Sequence, residues 1–209
     1  MPGKQLFLAF LLLCLLLTNS LTSNAQQQKT LNYQITVMGM NIGNLTVIQK
    51  ENGDTIQTKI ITRVKVKIIF TYKIDYFQTS RFIQGHLDES HLKTIKNGKL
   101  NSETWFLRKT NDRYLFIDKQ DTSLIHSEIF YSGSLLYTRE PTKLSSYFKE
   151  NSGERVFIRS DLPHNYVVSN AKGKELNQYH YKNGSLDKII INYPVATIRL
   201  KRIKVNNDE

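Results

Sequence analysis

Residues 59–76 read KIITRVKVKIIFTYKIDY. Ile60, Thr62, Val64, Val66, Ile68, Phe70, Tyr72, Ile74 and Tyr76 keep one parity, while Lys59, Arg63, Lys65, Lys67, Lys73 and Asp75 fall on the other. Successive side chains of a strand point to opposite faces, so this period of two reads as β-structure with one apolar and one basic face. At about 3.3 Å per residue, a single strand over Ile60–Tyr76 would reach roughly 56 Å, too long for a chain of this size. The stretch is expected to bend strongly or to break into two strands near Lys67–Thr71.

The same alternation runs outward in both directions. Leu31, Tyr33, Ile35 and Val37 alternate with polar neighbours, and Met38-Gly39-Met40-Asn41 can turn that strand into Ile42–Gln49. Asn-Gly pairs at 52–53, 97–98 and 183–184 each separate strand-like runs. Such pairs tolerate the two successive positive φ angles of a tight hairpin turn. Gly85 punctuates the chain before His86–His91, which reads as a polar turn. The last strand, Val195–Val205, carries Arg199, Lys201, Arg202 and Lys204, and its alternation slips at 201–202, as a bulge near a sheet edge would make it. The whole is an antiparallel meander of about ten strands.

Ser127–Tyr147 departs from the pattern. Ile129, Phe130, Gly133, Leu136 and Tyr137 have helical spacing, and Leu144, Tyr147 and Phe148 repeat it after Pro141, a residue suited to a first helical turn. One or two short helices are expected here, packed on the sheet. The fold class is thus mainly β: a single antiparallel curled sheet, an open barrel or half-barrel, with one or two short helices.

The N-terminus carries an address. Lys4 precedes an apolar run of 12 residues, Leu6–Leu17, and a polar stretch that ends in Ser23-Asn24-Ala25. That is the grammar of a cleavable signal peptide over residues 1–25, and the run falls short of the roughly 20 residues that cross a bilayer. One β-rich domain is expected from 26 to 209, exported, with no membrane span, in the periplasm or at the outer membrane or secreted. The single cysteine, Cys14, lies in the leader, and the Leu residues before it do not fit a lipoprotein signal. A disulfide-free exported domain must rest on core burial and backbone hydrogen bonds.

The 209-residue chain has a formal net charge of +11. Export removes nucleic acid as the partner and leaves lipid headgroups, lipopolysaccharide phosphates and acidic glycans. The residues carry no catalytic set. His86 and His91, five apart, suit neither a strand face nor a helix face for a metal. Tyr131-Ser132-Gly133-Ser134 is not a nucleophile elbow. Gly39–Gly43 joins strand to strand, so it is no phosphate loop, and its glycines read as a bend that needs unusual backbone angles. No cofactor, no metal and no enzymatic activity are expected.

Leu31-Asn32-Tyr33-Gln34-Ile35 leading to Gly39-Met40-Asn41-Ile42-Gly43, Ile125-His126-Ser127 before Leu135-Leu136-Tyr137, Arg139-Glu140-Pro141, and Tyr179–Gly184 together resemble an exported domain-of-unknown-function family common in Bacteroidota. A broader family of periplasmic β-rich domains shares the opening pattern. The resemblance implies a curved antiparallel sheet or open barrel and supplies no catalytic residues. With 11 Tyr and 10 Phe in the chain, the favoured reading is a non-enzymatic envelope protein that binds an amphiphilic or anionic ligand in its concave face, lined by Phe70, Tyr72 and Tyr76. The alternative is a module that docks another envelope protein through its basic face or edge strand, at Arg199, Lys201, Arg202 and Lys204.

Overall fold

Fourteen strands form one antiparallel sheet in the order β8-β7-β6-β5-β4-β3-β2-β1-β14-β13-β12-β11-β10-β9. The computed structural model describes residues 26–67, 71–119, 121–192 and 196–204. Residues 1–25, expected to be a signal peptide, and Phe70 lie outside them. The strands are β1 (Gln27–Val37), β2 (Met40–Asn52), β3 (Thr55–Lys67), β4 (Thr71–Ile83), β5 (His86–Lys96), β6 (Lys99–Thr110), β7 (Arg113–Asp118) and β8 (Asp121–His126). After a connection they continue as β9 (Ser146–Lys149), β10 (Glu154–Leu162), β11 (Asn165–Ser169), β12 (Glu175–Lys182), β13 (Ser185–Asn192) and β14 (Thr197–Ile203).

The period-two stretch divides where its length demanded, into β3 and β4, paired from Thr55↔Ile83 to Lys67↔Thr71. Asn97-Gly98 and Asn183-Gly184 take paired positive φ values, 49° with 79° and 52° with 67°. At 52–53 only Gly53 does, and the turn there is Gly53-Asp54. Gly43 needs no unusual angle. A Cβ on it would lie 2.0 Å from the Arg63 carbonyl oxygen, so the glycine permits a close approach of β2 to β3.

Three expectations are corrected. The segment His86–His91 is the start of β5 rather than a turn. The pairing passes from Phe82↔Leu87 to Arg81↔Glu89, so Asp88 is the extra residue of a bulge. The C-terminal strand β14 is bonded to β13 on one side and to β1 on the other, so it is no edge, and its pairing with β1 runs unbroken from Asn32↔Ile203 to Val37↔Ile198. Finally, the helical spacing in 127–148 yields one 3-10 helix, η1 (Gly133–Tyr137), while Ser146–Lys149 is strand β9. Tyr147 and Phe148 are both buried, each in a different core cluster. A strand covered on both faces loses its alternation and imitates a helix in sequence.

The connection 127–145 fills the inside of the curled sheet. Leu87 N–H of β5 donates to the Ile129 carbonyl at 2.8 Å, and Tyr181 Oη of β12 donates to the Leu136 carbonyl at 2.7 Å. Strands so far apart in the sheet reach one segment only because the sheet wraps around it. The neighbours Leu135 and Leu136, each 2% exposed, point into different core clusters. Each buried leucine contributes roughly 1.5–3 kcal/mol of transfer free energy. Tyr33 closes the seam between the chain ends by donating to the Leu186 carbonyl at 2.9 Å.

Candidate functional site

Among the described residues, the inside of the sheet holds one buried charge. Glu150, 3% exposed, accepts from Gly133 N–H (3.0 Å), Ser134 N–H (3.2 Å) and Gln78 Nε2 (2.9 Å), and from the Ser132 hydroxyl. Burial raises its pKa above the ordinary 4.5, and the hydroxyl and N–H donors oppose that rise. These bonds fasten η1 and its approach to β4 and leave no open face for a reactant. The cluster is an anchor, and sequence offered no sign of it because its members come from three separate segments.

Tyr76 belongs to the same interior. Its hydroxyl donates to Gln78 Oε1 at 2.7 Å, and burial carries its pKa well above the ordinary 10.0. The concave space beside it is taken by the chain's own connection, so a ligand held there would have to displace that segment. Tyr72, of the same parity, sits at the rim at 36% exposure with Lys96 Nζ 4.8 Å from its ring centroid. The two tyrosines therefore do not share a site.

The basic residues of β14 are divided as well. Arg199 and Lys201 are exposed on one face, and Arg202 has the parity of buried Leu200. Asp187 pairs with Lys201 and lies 3.9 Å from Arg202 Nε. Lys204 is exposed beyond the strand end.

The histidines are spread among separate partners. His91 stacks on Trp105 with centroids 3.6 Å apart, and its Nε2 lies 2.8 Å from Glu103. His164 Nδ1 lies 2.9 Å from Glu140. Among the described residues no three His, Cys, Asp or Glu side chains gather to hold a metal.

A polar groove lies on the outer face, across β1–β5. Cross-strand register lines up Gln28, Lys50, Gln57, Arg81 and Glu89 in one row, and Ile48, Lys59 and Thr79 in the next. They line a groove of about 500 Å³. Gln57, Lys59, Thr79 and Arg81 are exposed while Thr58, Ile60, Ser80 and Phe82 are buried, which sets the groove on the face away from the core. Arg81 is held by Asp88 at 2.8 Å and Glu89 at 3.1 Å, and Asp88 also takes Arg108 at 3.0 Å. The bulge at Asp88 makes this fork.

No carboxylate lies within 4 Å of the ammonium groups of Lys50 and Lys59 among the described residues. Two free ammonium groups, amide and hydroxyl donors and the apolar Ile48 suit an anionic group on a short apolar body. Parity alone placed Lys59 on the outer face. The row across five strands needed the register.

A family model described as "Domain of unknown function (DUF6134)" matches residues 33–203. No curated protein matches the chain. Among solved structures, the crystal structure of a beta-barrel-like protein of domain of unknown function DUF1849 from Brucella abortus aligns at TM-score 0.53 and 11% identity. That alignment covers 86% of this chain and 96% of the other, and the likeness is one of fold.

Proposed function

The chain belongs to the DUF6134 family, and from its own geometry we propose that it is an exported, non-enzymatic protein of the cell envelope that holds an anionic amphiphile in the groove across β1–β5. The observation that carries the reading is the pair of lysines, Lys50 and Lys59, without a carboxylate partner among the described residues, in a groove of the outer face with Ile48 between donors. The concave face is the weaker place for such a ligand, because residues 127–145 occupy it. The leader argues for export, and the basic balance favours anionic partners at that address.

Native mass spectrometry tests the reading on protein purified without detergent from its own host's envelope, with the same sample denatured as control. A discrete added mass that leaves on denaturation is expected. The Lys50→Glu/Lys59→Glu variant should carry much less of it with its fold unchanged by circular dichroism. A bare chain mass, or equal loading of the variant, overturns the groove as the site.

A further inference from the structure

At the end of β2–β5 away from the groove, the hairpins finish in exposed apolar side chains set among lysines. Met38 and Met40, at 78% and 62% exposure, cap the β1–β2 hairpin. Met38 holds φ 49°, a left-handed conformation that disfavours ordinary side chains and that asparagine takes in two of the other hairpin turns. Among the described residues nothing covers these side chains.

The neighbouring hairpins reach the same end. Gly43 pairs with Val64, and three residues further along each strand lie Met40 and Lys67. Asn97 N–H donates to the Lys73 carbonyl at 2.9 Å, and Lys73 N–H to Asn97 Oδ1 at 2.8 Å. That sets the β5–β6 turn one step back, with Leu100 at 57% and Tyr72 at 36% exposure beside it.

Lys65, Lys67, Lys73, Lys96 and Lys99 are all exposed around these tips. None has a carboxylate within 4 Å among the described residues. Lys65 stands opposite Lys73 in the ladder, a like-charge pair that costs the hairpin stability. Lys65 and Lys73 line an open groove beside the 97–98 turn, with Asp75 as its single carboxylate among the described residues.

We propose that this rim docks the protein onto an anionic lipid surface, with Met38, Met40 and Leu100 entering the headgroup region and the five lysines meeting lipid phosphates. Apolar tips within a cationic collar match the two layers of such a surface, an anionic plane over an apolar interior. The proposal goes beyond the groove reading and uses residues that reading does not.

The test is co-sedimentation with phosphatidylcholine vesicles, with and without phosphatidylglycerol. It uses protein in the form its host exports, with the N-terminus fixed by mass spectrometry. Retention on the anionic vesicles is expected, weakened by salt. Lys96→Glu/Lys99→Glu and Met38→Asp/Met40→Asp should each cut it by about tenfold or more, as about 1 kcal/mol per lysine at such a surface implies for the first. Aspartate tolerates the left-handed angle at 38, so the fold should survive. A polarity-sensitive fluorophore on Met38→Cys should shift to the blue on the same vesicles. Lys50→Glu/Lys59→Glu should leave retention unchanged, which separates this proposal from the groove. Equal retention on both vesicle types, no retention, loss through the groove variant alone, or lysine dependence without any effect of the methionines or fluorophore would overturn it.

Discussion

Glu150 and Lys65 are both charged residues of this β-structure, and their surroundings are opposite. Glu150 lies inside the curl, 3% exposed, and each of its oxygens accepts hydrogen bonds from the chain. Lys65 is exposed at the rim, faces another lysine across the ladder and has no carboxylate partner among the described residues. A buried charge must be satisfied by the fold or it costs several kcal/mol, so every neighbour of Glu150 is fixed. A charge at the rim contributes nothing to holding the fold and is free to meet something outside it. The interior is therefore built for stability, and the rim keeps its recognition chemistry at some cost in stability.

The strongest way to break this contrast is to remove the interior charge. Glu150→Ala strands Gly133 N–H, Ser134 N–H and Gln78 Nε2 without their acceptor, and about 3–5 kcal/mol of stability should be lost. Urea midpoints would show it, and a loss below about 1 kcal/mol would end the anchor role. The pH dependence follows from the same burial. Because the folded pKa is raised, the folded chain holds this proton more tightly than the unfolded chain. The contribution is complete below the ordinary 4.5 and declines as pH rises through the raised value. Relative to Glu150→Gln, the natural protein should lose stability across that window, and a constant difference between the two would contradict it.

Gly43 lies between the two regions, where β2 closes on β3 just below the rim. Gly43→Ala puts a methyl group 2.0 Å from the Arg63 carbonyl oxygen, and the strands must part. A loss of about 1–3 kcal/mol is expected, with faster amide exchange along Gly43↔Val64 than along the interior strands. Uniform exchange would show that the rim is not separately adjustable.

The smallest effect has the opposite sign. Lys65→Glu replaces the repulsion with Lys73 by an attraction across the ladder and should stabilise the protein by roughly 0.2–1 kcal/mol. The same variant should bind anionic vesicles less well. A gain in stability without that loss would remove Lys65 from the docking surface.

Much of the sheet was legible. The break of residues 59–76 into β3 and β4, the hairpin turns at Asn97-Gly98 and Asn183-Gly184, and the outer position of Lys59, Lys65 and Lys67 all follow from alternation and turn chemistry. The segment 127–148 was misread because it is covered on both sides: Tyr147 and Phe148 bury themselves in different clusters, and alternation vanishes. His86–His91 was misread because the bulge at Asp88 is a property of two strands, visible only in the pairing of Arg81 with Glu89.

What the sequence by itself determined is local: which residues are strand, where the chain turns and which parity is basic, since each depends on neighbours a few positions away. Only the tertiary structure decided that β14 is an inner strand closed onto β1, that residues 127–145 fill the curl, and that Glu150 is the buried charge. It alone decided that Lys50 and Lys59 share a groove while Tyr72 and Tyr76 part company. Those facts depend on pairing between segments as distant as Tyr33 and Leu186, and side-chain period carries no record of which strand lies alongside.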